Sequence, residues 1–179
     1  IGMTEYLGFL NKKATAMLMY GDKFSIIPIT THINLKKVHR FLKPKYINTF
    51  VKNILKNLMK NKSGKLFDEI NFLCYNPHCG EEGFLGIEDI IIKKSIKKFK
   101  QIKGPYSADS SFSNIKKNTL FISTYHDQAL IPFKIINKKS LNMTIGLNYR
   151  RLSPAHGTAR NIKFKNISDN TSYITCLLF

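Results

Sequence analysis

The chain has 179 residues, with 29 Lys and Arg against 11 Asp and Glu, a formal net charge of +18, and 43% hydrophobic residues. A hydrophobic fraction of that size excludes a disordered basic tail, and the length suits about one domain with a real core. No stretch reaches the roughly 20 apolar residues of a membrane span, the start lacks the pattern of a signal peptide, and three cysteines with no evident partners (Cys74, Cys79, Cys176) fit a reducing, cytoplasmic setting.

In chain order, Thr15 to Tyr20 and Phe24 to Thr30 are apolar runs joined by Tyr20-Gly21-Asp22-Lys23, the pattern of a hairpin. From Lys45 to Asn61, Ile47, Phe50, Val51, Ile54, Leu55, Leu58 and Met59 recur at three- and four-residue steps, which predicts a helix entered at Pro44 and closed by Ser63-Gly64. Glu69 to Tyr75 reads as a buried strand. Ile87 to Lys100 reads as a second helix, with Glu88 and Asp89 at its start and lysines toward its end. Thr119 to Thr124 and Asn142 to Leu147 are further strands, and Lys163 to Asn170 is a polar loop. Helices alternating with buried strands predict an α/β architecture with a largely parallel sheet.

Of the 29 basic residues only Arg40, Arg150, Arg151 and Arg160 are Arg, and the lysines are scattered through every segment. Nucleic acid recognition wants a clustered, Arg-containing patch, so nucleic acid is not the expected partner. In an α/β sheet, ligands bind beyond the carboxyl ends of strands. Four such ends carry polar groups: Thr31-His32, Asn76 to Glu81, Tyr125-His126-Asp127-Gln128 and Arg150-Arg151. His32 and His126 are candidate divalent-metal ligands, because neutral imidazole is a common one. The Arg pair suits a carboxylate or phosphate, or else a surface ion pair. His156-Gly157-Thr158-Ala159 has small residues that would let a ligand approach backbone N–H groups. Cys74, His78 and Cys79 lack zinc-site spacing, so Cys74 reads as a core residue. Asp109 could serve as acid or base, touch substrate, or cap a helix before Phe112, the cap being the simplest reading.

Read in order, Gly2 to Leu7, Thr30-Thr31-His32, Asn76-Pro77-His78 with Gly80-Glu81, Gly104-Pro105 with Ala108-Asp109, Tyr125 to Gln128 and His156 to Ala159 resemble the C-terminal half of the 4-hydroxythreonine-4-phosphate dehydrogenases of pyridoxal phosphate biosynthesis. The resemblance implies a three-layer α/β/α fold like that of isocitrate and isopropylmalate dehydrogenases, with an N-terminal part missing. It implies homodimers with the active site at the subunit interface, no membrane, and a phosphorylated small-molecule substrate. It places metal ligands (for zinc, magnesium or cobalt) on His32 and His126, substrate contacts on Lys134, Asn142 and Arg151, and NAD contacts on His156, Gly157, Thr158 and Ala159. The implied reaction is oxidation of 4-phosphooxy-L-threonine by NAD and loss of CO2, giving 3-amino-2-oxopropyl phosphate. By the same resemblance, residues 1–141 form a central domain and 142–179 return toward the missing one.

The sequence departs from that pattern at three positions. Met3 stands where the resemblance expects a first metal-binding histidine, Ala155 where it expects an acidic residue, and Asn161 where it expects Asp. Thioether is a poor ligand for zinc or magnesium, so this chain alone is expected to bind metal weakly and turn over poorly. The alternative reading is a non-catalytic α/β binding module whose basic surface meets anionic partners.

Overall fold

A computed structural model describes residues 2–58, 67–157 and 162–179. Seven strands form one sheet in the order β4-β3-β5-β2-β1-β6-β7, where β1 is Ala16–Gly21, β2 Ser25–Pro28, β3 Glu69–Leu73, β4 Ile102–Tyr106, β5 Thr119–Ser123, β6 Ser140–Ile145 and β7 Arg151–Pro154. Among the described residues five α-helices accompany it: α1 Met3–Leu10, α2 Pro44–Leu58, α3 Glu88–Ile96, α4 His126–Ile136 and α5 Thr171–Leu178. Seven-residue 3-10 segments occupy Leu35–Phe41 and Pro77–Gly83.

The α/β class holds, but the sheet is mixed rather than largely parallel. β4, β3, β5 and β2 run parallel, whereas β1 pairs antiparallel with both β2 and β6, and β6 with β7. The physical reason is connection length. Three residues between β1 and β2 permit only a reversal, and parallel pairing needs a crossover of a dozen or more.

Period-two alternation sends alternate residues of each strand to opposite faces. Leu18, Ile27, Phe72, Leu120 and Ile122 meet Ile47, Val51 and Ile54 of α2 and Ile92 and Ile96 of α3 on one side. Met17, Met19, Ile26, Leu73 and Phe121 meet Ala129, Leu130 and Phe133 of α4 on the other. Three layers result. The predicted α2 face is confirmed through Ile47, Val51, Ile54 and Leu58; Met59 and the predicted stop at Ser63-Gly64 lie outside the described residues. The segment from 142 onward joins the same sheet through β6 and β7, and α5 lies along both. The predicted loop from Lys163 to Asn170 contains neither α-helix nor strand.

Among the described residues, no helix is long and apolar enough to cross a membrane. The cysteines need correction: Cys74 and Cys79 are joined in a disulfide, and Cys176 alone is free. A five-residue spacing carries no pairing signal by itself; the chain reversal after β3 brings the two sulfurs together.

Candidate metal and substrate site

Parallel neighbours end at the same edge of a sheet. β2 and β5 are hydrogen-bonded parallel partners, with Pro28 opposite Ser123, so the residues that follow them emerge side by side. His32 and His126 come out here, with ring centroids 5.7 Å apart. They line a cavity of about 480 Å³ with Thr31, Asn34, Tyr125 and Asp127.

Each imidazole is held by a carboxylate. His32 Nδ1 lies 3.3 Å from Glu5 Oε2, and His126 Nδ1 lies 2.7 Å from Asp127 Oδ1. With Nδ1–H donated to a carboxylate, Nε2 of each ring keeps its lone pair free, the arrangement that orients a metal-binding histidine. Glu5 also accepts a hydrogen bond from the Thr31 hydroxyl. Burial pushes the Glu5 carboxyl up, but the Thr31 bond, its own backbone N–H and the nearby His32 outweigh this and hold it below the usual range. Gly2, immediately before α1, packs so closely that a Cβ there would collide with the His32 ring, which sets the start of α1 against the site. Met3 follows and is exposed.

The chemistry of this donor set fits a divalent ion in part. Two imidazoles with carboxylate support make half a ligand shell, and no group of three or more His, Cys, Asp or Glu converges among the described residues.

The other predicted residues are dispersed. Arg151 opens β7 opposite Thr144, and its Nη1 donates to Thr144 Oγ1 at 3.3 Å, while Thr144 Oγ1 sits 3.2 Å from Thr4 Oγ1 of α1. This chain of contacts brings Arg151 to the edge that carries the histidines. Asn142 lies two residues before Thr144 on the same sheet face, and its Oδ1 is buried with no hydrogen-bond partner among the described residues. Lys134 is exposed in the last turn of α4, eight residues and about 12 Å along the axis from His126. It does not line the cavity between the two histidines.

Asp109 is exposed in the turn after β4 and accepts a 2.6 Å hydrogen bond from Ser107, which holds its carboxyl low against a smaller effect of burial. No helix starts there, so the expected N-cap is corrected to a turn residue: Ser110 and Ser111 fold back onto the Ser107 carbonyl instead of beginning a helix. His156 is exposed beyond β7, its Nδ1 3.0 Å from the Gly157 carbonyl, and the space where a Gly157 Cβ would sit is open. Thr158 and Ala159 lie outside the described residues.

Sequence reasoning did not assign the partners Glu5, Thr31 and Asp127. Asp127 is next to His126 and could have been suspected. Glu5 is 27 residues from His32, and only the fold joins them.

Across residues 1–179 the chain matches the family model described as pyridoxal phosphate biosynthetic protein PdxA. It is 39% identical to a 4-hydroxythreonine-4-phosphate dehydrogenase from Hydrogenobaculum sp. (strain Y04AAS1), over 99% of this chain and 58% of that protein. It is also 39% identical to one from Wigglesworthia glossinidia brevipalpis, over 93% of this chain and 52% of that protein. The crystal structure of 4-hydroxythreonine-4-phosphate dehydrogenase from Klebsiella pneumoniae superposes with a TM-score of 0.76 at 30% identity, over 99% of this chain and 56% of that one. A terephthalate 1,2-cis-dihydrodiol dehydrogenase from Burkholderia xenovorans LB400, at 21% identity and a TM-score of 0.70, shares the fold. The chain spans somewhat more than half the length of these relatives. On its motifs, its fold and the full-length match of the family model, the chain belongs to the PdxA family of pyridoxal phosphate biosynthetic proteins.

Proposed function

We propose that this chain is the metal- and substrate-binding part of an NAD-dependent 4-hydroxythreonine-4-phosphate dehydrogenase acting in the cytoplasm. The observation that carries this reading is the pair His32 and His126, set side by side by two parallel strands and each oriented by a carboxylate. The relatives' names supply the reaction class.

His32 and His126 would hold the divalent ion, whether zinc, magnesium or cobalt. When bound, such an ion lowers the pKa of a substrate hydroxyl and polarises a carbonyl. Arg151, fixed through Thr144, faces an anionic group of the substrate with its planar fork. Asn142 offers a buried amide oxygen that lacks a donor, and a substrate N–H or O–H would supply one. Asp109, ionised in its turn, is the candidate to take or return a proton. The exposed His156-Gly157 turn, continuing into Thr158 and Ala159, is the candidate NAD contact. NAD+, when bound, would accept hydride from the substrate carbon as the hydroxyl proton departs, giving the β-keto acid. Loss of its CO2, with a proton returned to carbon, would leave 3-amino-2-oxopropyl phosphate.

Lys134, at the far end of α4, would bind the substrate phosphate, in a homodimer whose sites lie at the interface. Residues 142–179 would connect this central domain, 1–141, with a further one.

The test is NADH absorbance from the natural protein carrying this chain, supplied with 4-phosphooxy-L-threonine, NAD+ and each metal in turn. NADH formation that falls at least a hundredfold in His126→Ala is expected, on the scale of losing one electrostatic catalytic group. No NADH with any metal would overturn the reading.

A further inference from the structure

Cys74 and Cys79 bracket the turn that follows β3. Cys74 is 1% exposed, Cys79 is partly exposed, and their Cα atoms are 5.0 Å apart across the bridge. The bridge closes a ring around Tyr75, Asn76, Pro77 and His78. Beyond Pro77, six consecutive residues have positive φ: His78 at 49°, Cys79 at 56°, Gly80 at 76°, Glu81 at 45°, Glu82 at 57° and Gly83 at 105°. Glycine accepts that region freely, but the four L-residues around it are disfavoured there and need to be held.

Restraints on the two sides of the bridge differ. Cys74 is fixed by the fold itself: its N–H donates to Tyr106 O and its carbonyl accepts from Gln128 Nε2, both at 2.8 Å. Asp89 of α3 secures Tyr75 N at 2.6 Å and Asn76 N at 3.0 Å. Past Asn76 the left-handed run is tied at its far end by Leu85 N to Gly80 O and Phe84 N to Glu81 O, both at 3.1 Å, and by Gly86 N to Gly83 O at 3.3 Å. A ring this small removes little freedom from the unfolded chain, so the bridge acts on the turn far more than on global stability.

The turn lies beside the candidate site. The Gln128 that holds the Cys74 carbonyl also accepts from Thr124 N at 2.7 Å and Thr124 Oγ1 at 2.8 Å, and it sits in the same first turn of α4 as His126. We propose that Cys74 and Cys79 are a reversible redox site whose oxidised form locks the 76–83 turn and the first turn of α4. A small thiol opens it. Its thiolate attacks the more accessible Cys79 Sγ, the S–S bond breaks, and the departing Cys74 thiolate takes up a proton. A second thiol molecule then attacks the mixed disulfide on the reagent sulfur, releasing Cys79 as a thiol. Two electrons and two protons reach the protein, and the small thiol leaves as its disulfide. Cys176 takes no part.

The inference is independent of the proposed dehydrogenase reaction, and so is its test. The 179-residue chain is equilibrated in glutathione buffers of graded reduced-to-oxidised ratio, quenched in acid, and labelled with a maleimide polymer that adds mass at each free thiol. A single transition from one label to three is expected. Cys176→Ser should pass from none to two, and Cys74→Ser should carry two labels throughout. Hydrogen exchange read by mass spectrometry should speed up at least tenfold on reduction at the amides of 76–83 and of Thr124, with the β1 amides unchanged. Three labels at every ratio would overturn the proposal, as would one label that persists until the chain is unfolded in urea. Labels that cycle while exchange at 76–83 stays constant would overturn the lock.

Discussion

His32 and His126 illustrate how much of the site rests on single side chains that touch neither substrate nor metal. Glu5 and Asp127 fix the Nδ1 atoms, and removing such a partner costs metal affinity without deleting a ligand. Glu5→Gln is expected to weaken zinc binding about tenfold by isothermal titration calorimetry while leaving the thermal midpoint nearly unchanged. Gly2→Ala should weaken it as well, because the added Cβ displaces the His32 ring. Both histidines were legible as strand-end residues. Their meeting was implied by the family resemblance and not by any local pattern, because β3 and β4 intervene in sequence between β2 and β5 and nothing local announces that the two strands pair. The disulfide was hidden for a related reason: Cys79 reaches Cys74 through a left-handed run that few sequences would signal.

Among the elements, α2 was readable because its apolar stripe has helical period and a polar opposite face. α4 was not. His126 to Ile136 includes an internal Pro132 and is apolar on more than one side, with Ala129, Leu130 and Phe133 buried but Ile131 and Ile135 exposed. The period was therefore blurred, and only packing against β2 and β5 selects a helix. Phe133 meets Phe24 at 5.8 Å in an edge-on geometry, and Phe133→Ala should destabilise by about 3–4 kcal/mol in urea unfolding, through lost contact and a residual cavity. α3 contributes Asp89, 2% exposed, which serves two backbone N–H groups at the β3 exit. Asp89→Ala should cost about 3 kcal/mol, since those donors would be left buried or wet at the expense of packing.

At the outer part of the sheet, Glu69 on β3 accepts from Lys116 at 3.1 Å and Lys103 at 3.2 Å, and those hydrogen bonds hold its carboxyl below the ordinary range against a smaller effect of burial. A carboxyl depressed in the folded state contributes stability that is present above the ordinary carboxylate pKa and is lost as pH falls through the folded value. Acid unfolding followed by circular dichroism should therefore show a limb below that range which Glu69→Gln flattens. The limb should shrink in high salt, because all three groups are near the surface.

For the whole molecule, the charge proved to be a property of the surface more than of the site. Lys93, Lys94, Lys97, Lys98 and Lys100 are exposed around the end of α3, on the layer opposite α4. Exposed apolar side chains gather elsewhere: Tyr6, Phe9 and Leu10 on α1, Ile131 and Ile135 on α4, and Tyr173, Leu177 and Leu178 on α5. Larger apolar patches mark surfaces that associate, and the proposed function expects a second copy of the chain. Sedimentation velocity should accordingly show a dimer at micromolar concentration, and a monomer at every concentration would count against a site shared between subunits. The α/β layering was legible because buried strands and one strongly periodic helix fix it. The mixed strand direction was not, since β6, β7 and α5 declare themselves only through pairing with β1 and each other.

On the proposed reading, His32 and His126 form half of a divalent-metal site, and Met3 stands where the family resemblance expects a further histidine ligand. Zinc titration of the 179-residue chain compared with Met3→His, alone and combined with His126→Ala, tests it most directly. Binding at least tenfold tighter in Met3→His, and abolished when His126 is also replaced, is the predicted result; affinity that ignores either substitution would contradict the account.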